Sequence, residues 1–265
     1  MKRYAVKVYY DGKNFYGFQL QKDRRTVAGE ICLALLKSRL IKSLEEAFFQ
    51  AASRTDRGVS ALGQTIAFTT GENFSLRRFN AFLPSEIQAW GWAEVPLNFN
   101  PRREAKLRTY VYVYPYGGED FCLMVEAARL ICEKLVFGFY VGRDGKTYPK
   151  KLKELKVRLR GGNVFLTFSS KSFSRGLIRR LVTLIFEVAK GSLGLDRLKE
   201  FLEVGGWEKL GLPLAPPENL LLLDVKYGFR FNVDEETKKR LIDRLKRDVC
   251  LGEIKKVCLG KLKRV

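Results

Sequence analysis

The sequence predicts an α+β fold, and three observations carry that expectation. Residues 4–10, 65–70 and 108–114 alternate along the chain as strands do, and residues 89–95 read as another strand. Between them run apolar stripes at helical spacing, Val27, Ile31 and Leu35 in one place and Leu177, Leu181, Leu184 and Val188 in another. Residues 153–159 and 163–169 form two more strand-like runs joined by Arg160-Gly161-Gly162, a hairpin signal.

Taken in order, the strand at 4–10 ends at an Asp11-Gly12 turn, followed by aromatics and amides from Phe15 to Gln21. Thr26 opens a helix that runs to about Leu40. Arg24 and Arg25 precede it, placed either to meet phosphate near a helix start or to remain a solvated charge pair. The stretch Ser53-Arg54-Thr55-Asp56-Arg57-Gly58-Val59-Ser60-Ala61-Leu62-Gly63-Gln64 follows a helical run and leads into the strand at 65–70. It reads as a loop with one carboxylate, Asp56, between two arginines. Gly58 and Gly63 suit a tight path and the close approach of a bulky ligand, although an ion-paired surface turn has the same composition.

Residues 74–82 read as a short helix ended by Leu83-Pro84, and the strand at 89–95 carries Trp90 and Trp92. In the strand at 108–114, alternation puts Tyr110, Tyr112 and Tyr114 on one face, the reading for Tyr112 and Tyr114 being a half-buried strand with hydroxyls at its rim. A helix is expected over 121–137, a basic loop over 139–152, and a largely buried helix over 172–188 with Arg179 in its first turn, off the apolar stripe. An amphipathic helix over 234–249 turns Leu241, Ile242, Leu245 and Val249 inward and a basic face outward.

The chain has 265 residues and no histidine; 49 lysines and arginines against 29 acidic residues give a net charge of +20. Residues 1–105 contribute +6 and residues 106–265 contribute +14. Such one-sided charge points to a polyanionic partner, nucleic acid above all. No apolar run is long enough to span a bilayer, and the N-terminus has no signal-peptide core, so a cytoplasmic protein is expected. The five cysteines form no C-x-x-C pair, and without histidine a metal site is not expected. Cys32, Cys132 and Cys250 read as buried, reduced thiols.

Several blocks resemble the TruA family of tRNA pseudouridine synthases. The Asp56 stretch is similar to the family's catalytic pattern G-R-T-D-A-G-V-H-A-x-G-Q, departing at Ser53, Arg57 and Ser60, which stand for Gly, Ala and His. Tyr10-Asp11-Gly12 through Gln21 resembles Y-D-G-x-x-F-x-G-W-Q-x-Q, with Phe18 for Trp. Further blocks are Asn80 to Pro84, Phe99 to Ala105, Arg108-Thr109-Tyr110-Val111-Tyr112, the helix around Arg179, and Ala215 to Tyr227.

The resemblance implies two related ferredoxin-like (RNP-like) halves whose antiparallel sheets join into one extended sheet, with a central catalytic cleft. It divides the chain into 1–105 with the aspartate loop, 106–228 with the tyrosine strand and the arginine helix, and 229–265 as a basic extension packed on the C-terminal half. It implies conversion of uridine to pseudouridine in the anticodon stem-loop of tRNA, without a cofactor, by a homodimer. Asp56 takes the catalytic carboxylate's place, Tyr110 the active-site tyrosine's, and Arg179 that of the arginine paired with the carboxylate. Arg54, with Arg57, Gln64, Arg24 and Arg25, is the expected RNA-contacting set. A non-catalytic RNA-binding protein of the same fold is one alternative, and a glycoside-type hydrolase, which needs a second acid beside Asp56, is another.

Overall fold

A computed structural model of the chain describes residues 1–134, 151–204, 211, 213–248 and 253–263. It comprises two units, Met1–Lys106 with Leu221–Val265, and Leu107–Leu220. The first opens with β1 (Lys2–Tyr10), α1 (Val27–Lys37), β2 (Gln50–Ala51), β3 (Ser60–Thr70), α2 (Leu76–Asn80) and β4 (Ile87–Val95). The second holds β5 (Leu107–Pro115), α3 (Phe121–Glu133), β6 (Glu154–Arg160), β7 (Asn163–Ser170), α4 (Leu177–Ala189) and α5 (Leu195–Val204). The chain then returns to the first with β8 (Leu220–Lys226), β9 (Asn232–Val233), α6 (Glu235–Asp248) and α7 (Glu253–Leu262). Strands and helices in both units give the expected α+β class.

In the first unit β1 is central. It pairs antiparallel with β3 through Tyr4↔Phe68 and Val6↔Ile66, and antiparallel with β4 through Ala5↔Ala93 and Val6↔Trp92. β2 adds to β3, β8 joins β3 in parallel at Ser60↔Leu221, and β9 pairs with β4 at Gly91↔Val233. β1 is buried on both faces because both carry apolar side chains: Tyr4, Val6, Val8 and Tyr10 on one, Ala5 and Tyr9 on the other. The register slips between Lys7 and Val8, where Gly91 and Ala89 are their partners and Trp90 is the extra residue. Trp90 consequently packs with Tyr9 and Leu62, whereas Trp92 meets the Tyr4 ring.

The C-terminal segment corrects an expectation. The described residues of the 229–265 segment pack on the first unit, not on the C-terminal half. Leu241 and Leu245 of α6, with Cys258 and Leu262 of α7, bury against Tyr9, Leu62 and Trp90. Tyr227, Phe229 and Phe231 cover Ala5, Ala67, Ala93 and Phe99. The physical reason is the second apolar face of β1, which these side chains shield from water.

The second unit is an antiparallel β6-β7-β5 sheet with α3, α4 and α5. Gly161 and Gly162 close the β6–β7 hairpin with φ of 57° and 71°, as a two-residue turn of primed type requires. In α4, Leu177, Ile178, Leu181, Val182, Leu184, Ile185 and Val188 are all buried.

Several boundaries differ from the sequence reading. Helix α1 stops at Lys37, and Arg39 turns the chain away with a φ of 54°. The run before the Asp56 loop, read as helical, is a turn over 44–48 followed by β2. β3 starts at Ser60, five residues early. The end of the helix expected over 121–137, most of the loop expected over 139–152, Val249 and Cys250 lie outside the described residues.

Candidate active site

The Asp56 loop joins β2 to β3, and its backbone is fixed from beneath by one side chain. Gln64 Oε1 accepts from the Ser53 and Thr65 N–H groups at 3.2 and 3.1 Å, and its Nε2 donates to the Ser53 carbonyl at 2.8 Å. Gln64 is 0% exposed. It was expected to contact RNA; instead its amide is consumed inside the protein, where it shapes the loop. Beside it the Tyr10 hydroxyl shares a 2.7 Å hydrogen bond with Thr55 Oγ1. The Thr55 carbonyl accepts from Phe18 N–H at 3.0 Å, and the Asp56 carbonyl from Val59 N–H at 3.2 Å. Gly58 supplies the positive φ, 84°, that closes the turn after Asp56.

Segment 11–18 lies directly against this loop. A Cβ on Gly12 would stand 2.1 Å from the Val59 carbonyl oxygen. Gly12→Ala should therefore push the Asp56 loop off its support and destabilise the protein by about 2–3 kcal/mol. A thermal melt beside a turnover assay reads both effects. Gly63 has a different task from the one its sequence context suggested: a Cβ there would sit 2.8 Å from the Leu223 carbonyl oxygen, so it lets β8 approach β3.

The outcome on this loop is a half-buried Asp56 with Arg54 and Arg57 exposed on either side. The Arg57 guanidinium lies 4.5 Å from the centre of the Tyr16 ring, and that of Arg24 lies at the same distance from the same ring. Arg25 is differently employed. It stacks on Phe15 at 4.5 Å and donates to Glu30 at 2.7 Å and Glu86 at 2.9 Å.

The hydrogen bond from Arg25 outweighs burial and holds the Glu86 carboxyl at about 2, below its ordinary 4.5. A carboxyl depressed in the folded state stabilises the fold at pH well above 4.5, and that contribution fades as the pH falls toward about 2. Both side chains are partly exposed, which limits the effect. Glu86→Gln should lower stability by about 1 kcal/mol near neutral pH, with the difference from wild type shrinking toward about pH 3. Urea titrations at the two pH values measure it.

In the second unit, Tyr110 lies opposite Phe168 across the β5–β7 pair and is 7% exposed. Its ring meets Phe173 edge-on, with centres 5.3 Å apart. Tyr112 is fully buried rather than at a rim, and burial pushes its hydroxyl up to about 12. Tyr114 is half-buried against Phe186 at 4.1 Å. Arg179 occupies the first turn of α4, half-buried, and its Nε donates to the Ala215 carbonyl at 2.5 Å. The Arg179 carbonyl accepts from Ala215 N–H at 3.3 Å, so main chain and side chain are both tied to the segment before β8.

Among the described residues no group of three or more Cys, Asp or Glu side chains is arranged to hold a metal ion, and no helix is long and apolar enough to cross a membrane. Cys32 is buried, which pushes its thiol up to about 12; Cys132 is half-buried.

A family model described as tRNA pseudouridine synthase matches residues 136–228. The chain is 37% identical over 242 residues to a tRNA pseudouridine synthase A of Pyrococcus abyssi, covering 90% of each chain. It is 37% identical over 253 residues to one from Thermococcus sibiricus, covering 92% of this chain and 94% of the relative. A third, from Methanosphaera stadtmanae, is 31% identical over 269 residues, covering 99% and 98%. This chain belongs to the tRNA pseudouridine synthase A family.

Set beside the tRNA pseudouridine synthase A pattern, two departures acquire a local account. Ser60, where that pattern has histidine, accepts the Gly12 N–H on its hydroxyl at 3.0 Å and so ties segment 11–18 to the start of β3. Arg57, where the pattern has alanine, adds a cation to the Tyr16 ring. The parts played by Tyr10, Gly12 and Ser60 in holding the loop were not read from the sequence. Tyr10 and Gly12 could have been, since both sit in the resembling Y-D-G block.

Proposed function

We propose that this chain isomerises uridine to pseudouridine in the anticodon stem-loop of tRNA, with Asp56 as the reacting carboxylate. Membership of the tRNA pseudouridine synthase A family supports the reaction. The observation that carries the assignment of Asp56 is its loop: hydrogen bonds from Gln64 and Phe18 fix the backbone and Tyr10 holds the Thr55 side chain, with Asp56 half-buried between two exposed arginines.

The reaction breaks the N1–C1′ bond, turns the base, and forms a C5–C1′ bond; C5 loses a proton and N1 gains one. Nothing is oxidised or reduced. An ionised carboxylate adds to the base or traps C1′. In this reading the target nucleotide leaves its stack and is flipped toward Asp56, while Arg54 holds the displaced strand. Arg179 keeps the carboxylate charged, and Tyr110 assists proton removal from C5. The net charge of +20 holds the surrounding phosphates, and the enzyme works in the cytoplasm as a homodimer.

Mapping pseudouridine in unmodified tRNA transcript after incubation with the pure protein tests this. New pseudouridine in the anticodon stem-loop is the expected product. Pseudouridine elsewhere would move the substrate site, and free uracil would make the protein a hydrolase. Binding without any isomerisation would leave only an RNA-binding protein.

A further inference from the structure

Three chain segments converge on one exposed ring. Tyr16, 37% exposed, sits between Gly12 and Phe18, next to the Asp56 loop. Tyr16 N–H donates to the Arg25 carbonyl at 2.9 Å, and Val27 N–H to the Gly17 carbonyl at 3.1 Å. Phe18 bridges the other two segments, accepting from Ala28 N–H at 2.9 Å and donating to the Thr55 carbonyl at 3.0 Å. Gly17, with a φ of 87°, brings the chain so close that a Cβ would stand 3.1 Å from the Thr55 carbonyl oxygen. Residues 15–18, 24–28 and 55–57 are thereby knitted together through their main chains.

This scaffold brings two like charges together. The guanidinium centres of Arg24 and Arg57 each lie 4.5 Å from the Tyr16 ring centre, so they are no more than about twice that distance apart. Asp23, at a φ of 60°, takes a left-handed turn immediately before Arg24. Among the described residues neither arginine is paired with a carboxylate, whereas their neighbour Arg25 has two. Two exposed cations gathered without a counter-ion have an anion as their natural complement, and the electron-rich ring face lowers the repulsion between them until it arrives.

We propose that Arg24, Tyr16 and Arg57 form a preorganised fork that grips the phosphate backbone of the RNA strand beside the nucleotide engaged by Asp56. Its position on that strand rests on the reading of the Asp56 loop as the reaction site; its affinity for RNA phosphate does not. The ring fixes both guanidiniums before binding, so less side-chain freedom is lost when phosphate is gripped. Arg57 stands between Asp56 and the turn glycine Gly58, so engagement of phosphate also steadies the loop from outside.

The test is a salt series of dissociation constants for an unmodified tRNA transcript. Arg24→Gln/Arg57→Gln should bind more weakly and lower the slope of log affinity against log salt by about 1 to 1.5. Tyr16→Leu, which keeps both charges, should weaken binding about fivefold, while Tyr16→Phe, which keeps the ring face, should restore it. Arg129→Gln is the control, since Glu126 and Glu133 already neutralise that exposed guanidinium. Thermal melts confirm that each variant is folded. An unchanged slope in the double variant, an equal loss of slope in the control, or Tyr16→Leu binding as tightly as Tyr16→Phe would each overturn the fork. Wild-type protein that binds with the expected slope but forms no pseudouridine would instead sink the catalytic reading and leave the fork standing.

Discussion

Asp56→Asn should abolish pseudouridine formation, by at least about 10⁴-fold, while tRNA binding stays close to wild type. The substitution keeps the side chain's size and one oxygen but removes the negative charge that the chemistry requires. Three supports of the loop do not run through that charge. Gln64 holds Ser53, Tyr10 holds Thr55, and the Val59 N–H bonds the Asp56 carbonyl rather than its carboxylate. The loss should therefore fall on turnover and not on folding. Tritium release from 5-tritiated uridine in tRNA gives turnover, and filter binding gives affinity; residual turnover by the pure variant would remove Asp56 from the reaction.

The largest stability effect is expected at Lys7. Its ammonium is buried inside the first unit, donating to Asp224 Oδ1 at 2.9 Å and to the Val225 carbonyl at 2.5 Å. The rings of Phe231 and Tyr227 lie 4.9 and 5.8 Å away. Burial pushes the Lys7 ammonium below its ordinary value, and Asp224 pulls it back. Burial likewise opposes ionisation of Asp224, but Lys7, by charge and by hydrogen bond, holds the carboxyl below the usual range. Lys7→Met would leave that carboxylate, only 19% exposed, with Lys261 at 3.8 Å as its remaining cation among the described residues. A loss of about 3 kcal/mol in urea unfolding at neutral pH is expected, with partial recovery when Asp224→Asn is added. If the single variant unfolds at the wild-type midpoint, the pair contributes nothing and the C-terminal segment is held by apolar packing alone.

Features that depend on neighbouring residues could be read from the sequence. The strand of β1 and the stripe of α4 follow the two periods of the backbone; β1 is buried on both faces, and every apolar position named in the α4 stripe is buried. The Asp56 loop was visible through its motif. Features that depend on distant partners were not. Trp90 and Trp92, two apart in a strand, belong on one face by counting, yet a bulge sends them to opposite ones. Gln64, a polar residue in a functional motif, looked available to RNA because its partners, Ser53 and Tyr10, become neighbours only on folding. The spacing of Leu241 and Leu245 said that α6 needed an apolar partner, but nothing in it named Tyr9, more than two hundred residues earlier. Arg57, read as one of several basic residues, gains its character from a ring in another loop.

The contact between Lys7 and Asp224 spans 217 residues of sequence. A ribosome has made the whole of 107–220, a continuous run, before it supplies the strands and helices that the opening sheet lacks. The interior segment is therefore free to mature during synthesis, while the earlier one stays incomplete, with the Tyr9 side of its first strand uncovered, until α6 and α7 have been translated. Chaperone dependence and aggregation should accordingly track the N-terminal hundred residues, and trimming the final helices should damage the beginning of the protein rather than its end.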